Sequence, residues 1–337
     1  MSTTQPGTRP ASAAPTRVLP AQYLAGGPGD SARTASRPTP RPRPQQHRLT
    51  RYLRSPKGTL TLVFLPLLYV AGTSVGWPLV IPHVLAALAG ACLLDVLINL
   101  ITRRELIWPS SALISGVIVA FVLGPIEPHA VTFAVAALAT VSKHLLKTRQ
   151  SHIFNPAALA LVLSVPLFGT GQSWWGALAN APAFWLILLL AGGTFILERL
   201  NKFPLALSFL GVYFGLFAFA GLVGPSHVVE MFRVPFVNAA LFLACFMLTD
   251  PPTSPGKLND QVWFGGLVAI IAAVAQVVGV GQTYLLVGLL AGNLALALRR
   301  RAGQRSAVAA AKARNAGRTA AAQGMVTDQG VTTGYAR

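Results

Sequence analysis

From about Thr59 to Leu298 the chain is a near-continuous series of apolar runs, broken only by Gly, Pro and a few charges. This feature constrains the fold most, because so much apolar surface has to be placed away from water. Several runs are long enough to cross a bilayer as helices, about 17–25 residues each. Transmembrane barrel strands would alternate polar and apolar residues, and these runs do not. Only 11% of residues are charged, against about 25% in ordinary soluble domains. The expected fold is an all-α polytopic membrane protein.

Gly, Pro and charge punctuation divides the apolar region into about ten segments: 59–76, 79–101, 111–125, 130–147, 155–169, 182–197, 203–224, 235–249, 261–280 and 282–298. Several hold only about 15 residues, short for a perpendicular span, which points to broken or re-entrant helices. Basic residues sort the connections. With the N-terminus inside, 26 Lys and Arg fall on that side and one, Arg233, on the other. The positive-inside rule then gives ten spans with both termini cytoplasmic. The expected organisation is a disordered basic tail over 1–57, a membrane domain over 58–300 and a disordered Ala/Arg-rich tail over 301–337. The first 48 residues have no apolar core and do not read as a signal peptide.

The formal net charge is +18, which raises nucleic acid as a partner. Its concentration in tails and short loops favours anionic lipid headgroups instead, so the expected partner is the bilayer and not nucleic acid. Cys92 and Cys245 lie inside apolar segments with no CxxC or Cys/His cluster, so neither a disulfide nor a metal on this chain is expected.

Ten spans can form two repeats of five, and an odd repeat inverts the second half relative to the first. Pro125 and Pro251, which end the third and eighth segments, are 126 residues apart, and Pro156 and Thr283 are 127 apart. Two short helices ending in Pro-rich backbone from opposite sides would meet near the midplane.

Polar groups inside the apolar region are the functional candidates. Asp95, in ACLLDVLINL, is the one acid well inside a segment, and an intramembrane carboxylate points to ion or proton handling. Pairing with Lys143 or Arg103 is the structural alternative. The stretch SKHLLKTRQSHIFNPAALAL gathers Lys143, His144, Lys147, Arg149 and His152 just before Asn155-Pro156. Asn is a strong N-cap and Pro suits the first helical position. The same helix start, flanked by Lys143, His144, Lys147 and His152, is also arranged to hold an anion such as a flavin phosphate or a headgroup. The loop LTDPPTSPGKLNDQ places Asp250, Thr253 and Ser254 where they either cap a helix or line a cofactor pocket. There is no GxSxG, GxxxxGK[ST] or HExxH, so any chemistry would belong to a bound cofactor or a partner subunit, and this chain is at most a non-catalytic membrane subunit.

SALISGVIVAFVLGP, SKHLL, HIFNPAALAL, SFLGVYF and FMLTDPPTSPG, in that order, resemble the NqrB/RnfD family over about residues 60–298. These are membrane subunits of the sodium-pumping NADH:quinone reductase and of the Rnf ferredoxin:NAD oxidoreductase complex. The resemblance implies two inverted five-helix repeats, distantly similar to urea and ammonium channels. It also implies a place in a flavin-based electron-transfer chain coupled to Na⁺ or H⁺ movement, with Asp95 where family members carry an acid. Family members attach FMN to a Thr in an S-x-A-T motif between the fifth and sixth spans. Here that region, FGTGQSWWGALANAPA, holds only Thr170 in GTG, and the chain's one Ala-Thr pair is Ala139-Thr140 in the fourth segment. Covalent FMN is therefore not expected on this chain. An acidic-Gly pair that often precedes the last span is replaced by Gly281-Gln282.

These readings converge on an RnfD/NqrB-like subunit of an electron transport complex in the plasma (inner) membrane, multi-pass, with other membrane and peripheral redox subunits as partners. It would hold a noncovalent flavin, FMN or riboflavin, through Lys143, His144, His152, Asn155, Asp250, Thr253 and Ser254, and use Asp95 for ion coupling. The alternatives are a small-solute or ion channel or transporter of the same fold without redox function, and an assembly protein whose basic tails recruit lipid or cytoplasmic partners.

Overall fold

A computed structural model describes residues 52–53, 55–104, 108–146, 152–223 and 230–332. Nearly all of the expected N-terminal tail, together with Lys147 and Arg149, lies outside the described residues. Ten helices order the described chain: α1 Pro56–Val75, α2 Trp77–Arg103, α3 Ser110–Val122, α4 His129–Leu145, α5 Pro156–Phe168, α6 Leu186–Leu200, α7 Phe203–Val223, α8 Val234–Phe242, α9 Leu258–Val277 and α10 Tyr284–Thr332. Among the described residues there is no strand, only an isolated bridge between Leu123 and Gln172. Six helices are long and apolar enough to cross a membrane: α1, α2, α6 with the turn before it, α7, α9 and α10. Leucines of several of them, such as Leu65, Leu85, Leu97, Leu207 and Leu222, stay exposed around the molecule. An apolar exterior of this extent is the surface of a multi-pass membrane protein rather than of a water-soluble one.

Local chemistry sets the helix ends. Ser55 Oγ accepts the Gly58 N–H at 3.2 Å, and Pro56 takes the first helical position of α1. Asn155 Oδ1 likewise accepts the Ala158 N–H at 3.1 Å ahead of Pro156. These caps satisfy donors that the helix itself cannot. Helix α8 widens at its end into a π turn over Leu243–Met247, closed by Leu248 N–H to Leu243 O at 2.8 Å. Such turns are rare and frequent at functional sites. α1 begins three residues ahead of the expected Thr59. α10 runs on to Thr332 although its apolar part ends near Leu298, because Ala, Arg and Gln are strong helix formers that need no apolar partner. The expected disordered C-terminal tail thus falls largely within a helix.

The packing repeats with an offset of five helices. α2 packs most extensively on α4, and α7 on α9; next come α9 on α10, α2 on α3, and α4 on α5. Both principal pairs depend on a glycine. A Cβ at Gly90 would lie 2.2 Å from Phe133 O, and one at Gly265 2.5 Å from Leu205 O. Close backbone approach of this kind drives helix association where lipid removes the hydrophobic contrast. The halves also meet through equivalent members: α1 touches α6, α5 touches α10, and Phe121 of α3 meets Phe242 of α8 with ring centroids 6.0 Å apart. Contacts between helices i and i+5 are consistent with two five-helix repeats, the arrangement expected from the sequence spacing. α3 and α5, at 13 residues each, and α8, at 9, are the short helices. At about 1.5 Å per residue none spans a ~30 Å apolar core, and the backbone directly after α3 and α8, at Leu123 and Leu243–Met247, is buried in protein, where its polar groups find partners.

Candidate functional site

The starts of α1, α3 and α5 and the ends of α4, α6 and α8 converge on one side of the molecule around a cavity of about 460 Å³. These are the ends that charge sorting assigns to a common side. Small-molecule sites typically enclose about 300–1,000 Å³ with mostly apolar walls and a few placed polar groups. The apolar wall comes from Leu60, Ile114, Ile118, Ile196 and Phe246, and the polar lining includes Lys57, Ser111, Ser115, Lys143, His152, Asn155 and Asp250.

Four of the sequence-derived candidates therefore line one space: Lys143, His152, Asn155 and Asp250. Asn155 works as a joint. Its backbone N–H donates to Asn293 Oδ1 at 3.0 Å, its Nδ2 donates to Met247 O at 3.2 Å, and its Oδ1 caps α5. All three groups have protein partners, so Asn155 shapes the wall by tying α5 to α8 and α10. Thr253 and Ser254 are buried behind the cavity. Thr253 Oγ1 donates to Asp250 Oδ2 at 3.0 Å and orients that carboxyl. His144 turns away from the cavity toward Asp95.

The segment 248–257 forms a shelf under the cavity, and four side chains, from α9, α10 and the α6–α7 connection, hold its carbonyls. Arg300 donates to Pro252 O at 3.3 Å and Ser254 O at 2.9 Å, Asn293 Nδ2 to Thr253 O at 3.1 Å, and Gln261 Nε2 to Gly256 O at 3.0 Å. Lys202 Nζ donates to Pro255 O. Burial, reinforced by the nearby Arg300 charge, holds the Lys202 ammonium below its usual range. Burial pushes the Asp250 carboxyl up to about 6, against the pull of the Thr253 hydroxyl and of Lys57 and Lys202. Asp250 is thus poised to donate or accept a hydrogen bond near neutral pH, a property of functional carboxyls.

Asp95 sits one layer deeper, 4% exposed. Lys143 Nζ reaches its Oδ1 at 2.8 Å and His144 Nε2 reaches the same oxygen at 2.9 Å. The acid of α2 is therefore clamped by two neighbouring residues of α4, and one of them also lines the cavity.

Sequence reading misses Lys57, Ser111 and Ser115. Lys57 falls to the disordered tail when the apolar run is counted from Thr59, yet the Ser55-Pro56 cap signal marks a helix start before it. His83, another polar group inside a span, is a core residue: its Nε2 lies 3.2 Å from Ala120 O and its Nδ1 3.2 Å from Thr132 Oγ1. The two threonines weighed for covalent attachment are buried and bonded internally. Thr170 Oγ1 pairs with Ser164 Oγ at 2.6 Å, and Thr140 Oγ1 donates to Ala91 O at 3.1 Å. Among the described residues no cluster of three or more His, Cys, Asp or Glu could hold a metal ion.

The cavity thus combines apolar walls, the ammonium groups of Lys57 and Lys143 and the Asp250 carboxyl. The comparison with known families agrees with the fold. Residues 180–302, from the approach to α6 through the first part of α10, match the NQR2, RnfD, RnfE family. No curated protein matches the chain. The match covers the second repeat, which carries the shelf, while the first repeat carries the equivalent packing. Over residues 180–302, the second repeat with its shelf, the chain is thus similar to the NQR2, RnfD, RnfE family.

Proposed function

We propose that this chain is a membrane subunit of an electron transport complex, and that its cavity binds a flavin noncovalently. The observation that carries the reading is the cavity itself, which draws walls from both repeats and holds Lys57, Lys143 and Asp250 against an apolar face. When bound, the flavin supplies the electron chemistry. The chain's own residues would position it: Ile114, Ile118 and Phe246 exclude water from the ring, Lys57 offers an ammonium to a phosphate, and Asp250 offers a hydrogen bond to the ring edge. Asn155 and the shelf keep that geometry fixed. Covalent FMN is not part of this reading, because both threonine candidates are buried and hydrogen-bonded. Asp95 is the proposed ion-coupling group. The cavity faces the cytoplasm, both termini lie on that side of the plasma membrane, and other membrane and peripheral redox subunits dock there.

The test is the visible absorption spectrum of the protein purified in mild detergent from its native membranes, before and after acid precipitation. The expected result is a flavin spectrum that acid releases into the supernatant. Flavin retained on the precipitated chain would overturn the noncovalent assignment, and absence of a chromophore would overturn the flavin reading. The meeting of the two short helices at Phe121 and Phe242 favours a second reading, a solute or ion transporter without redox work, which chromophore-free protein would support.

A further inference from the structure

Lys143 belongs to two sites at once. Its ammonium is 2.8 Å from Asp95 Oδ1, and the same side chain lines the cavity. His144 holds the same carboxylate oxygen at 2.9 Å, so Asp95 has a second partner in place whenever Lys143 leaves. A lysine ammonium is a compact charge on a flexible four-carbon stem, able to move between acceptors without moving the backbone. Among the described residues, the other charged groups on the cavity wall are Lys57 from α1 and Asp250 from the shelf. Lys57 repels the ammonium toward Asp95 when the cavity holds no anion. An anionic group in the cavity reverses that balance by attracting both lysines.

We propose that Lys143 couples the charge of the molecule in the cavity to Asp95: an anion in the cavity and the Asp95 carboxylate compete for one ammonium. Rotating Lys143 onto the anion leaves Asp95 paired with His144 alone. A negative charge gained in the cavity is thereby felt at a buried acid that the bound molecule does not touch. The proposal rests on the reading of the cavity as a flavin site, and it makes Lys143 a specificity-determining residue for anionic over neutral forms of the ligand.

The experiment compares FMN with riboflavin, which differ by the phosphate, in fluorescence titrations of the full chain in nanodiscs. Asp95→Asn removes the competitor. The expected result is about a tenfold gain in FMN affinity, the scale of one charge-assisted hydrogen bond, with riboflavin affinity changed less than twofold. Lys143→Met is expected to lower FMN affinity toward that of riboflavin, and the double variant to match Lys143→Met alone, since non-additivity is the mark of a shared partner. Should Asp95→Asn not fold, Lys143→Met carries the test through its effect on the FMN-to-riboflavin ratio. An unchanged ratio in both single variants, or an FMN gain that survives in the double variant, overturns the coupling while leaving the flavin site standing. Failure of both flavins to bind the wild-type chain overturns the flavin reading and this proposal with it.

Discussion

Asn293 is the residue whose replacement tests the architecture most directly. It is 1% exposed in the middle of the apolar part of α10. Its Oδ1 accepts the Asn155 N–H at 3.0 Å and its Nδ2 donates to Thr253 O at 3.1 Å. Asn293→Leu keeps the side-chain size but leaves a backbone N–H and a backbone C=O buried without this partner. Each such orphan costs about 1–3 kcal/mol in a protein interior. Measured side-chain bonds within membrane proteins average only about 0.6 kcal/mol, because the reference state also finds partners. The larger figure applies here, since both orphans are backbone groups held in place by the α5 cap and the shelf. The expected loss is about 2–6 kcal/mol for the two orphans, roughly 4–24 °C in thermal denaturation for a domain of this size. Asn293→Asp keeps the acceptor for Asn155 and is expected to lose less. The assay is thermal denaturation followed by size-exclusion fluorescence in one detergent, with flavin affinity measured on the same samples. Asn293→Leu should also weaken ligand binding, since Asn155 and the shelf form two sides of the cavity. A midpoint shifted by less than about 2 °C, below the scale expected for a loss of 1 kcal/mol, with unchanged binding, would refute the claim that this joint holds the cavity together.

Gly90→Val places a side chain where even a Cβ would come within 2.2 Å of Phe133 O, so folded protein should fall to near background by size-exclusion chromatography. Gly211→Ala, where a Cβ would meet nothing within 4 Å, should be neutral. Asp250 gives a pH prediction with a definite sign. Its folded-state value is raised to about 6 from an unfolded value near 3.9, so the folded state binds this proton more tightly. This group's contribution to stability therefore declines as pH rises from about 4 to about 6 and is level above that. Asp250→Asn should remove that slope from thermal midpoints measured on both sides of the folded-state value, and a slope that persists unchanged would refute the assignment.

Much of the fold is legible because Gly, Pro and charge punctuate apolar runs at helix ends, and each of the ten expected segments has a helix on it. The short third, fifth and eighth elements can be read from run length, and the repeat from proline spacing. The pairing of Asp95 with Lys143 is among the alternatives that sequence offers, but its second partner is not. Residues 95 and 144 are far apart in the chain, and only the packing of α2 on α4 brings them together. Lys57 is lost to the tail when apolar content is weighed above the cap signal at Ser55-Pro56. Thr253 and Ser254 read as pocket groups, but the turn after Pro251 and Pro252 buries them behind the cavity wall, a direction that composition does not encode. The continuation of α10 lies in a segment that reads as an Ala/Arg/Gly-rich tail with at most a transient helix, because loss of apolarity ends the membrane run without ending the helix.

That continuation has a mechanical consequence. Beyond the membrane part, α10 extends from Arg299 to Thr332, about 50 Å at 1.5 Å per residue. Its base is fixed: Arg299 pairs with Asp260 at 2.9 Å and lies 5.1 Å over the Trp263 ring, while Arg300 grips the carbonyls of Pro252 and Ser254. The helix is therefore a lever with its fulcrum at the shelf. A lateral force at its far end acts at the base near Arg300 as a torque, the force times an arm of about 50 Å.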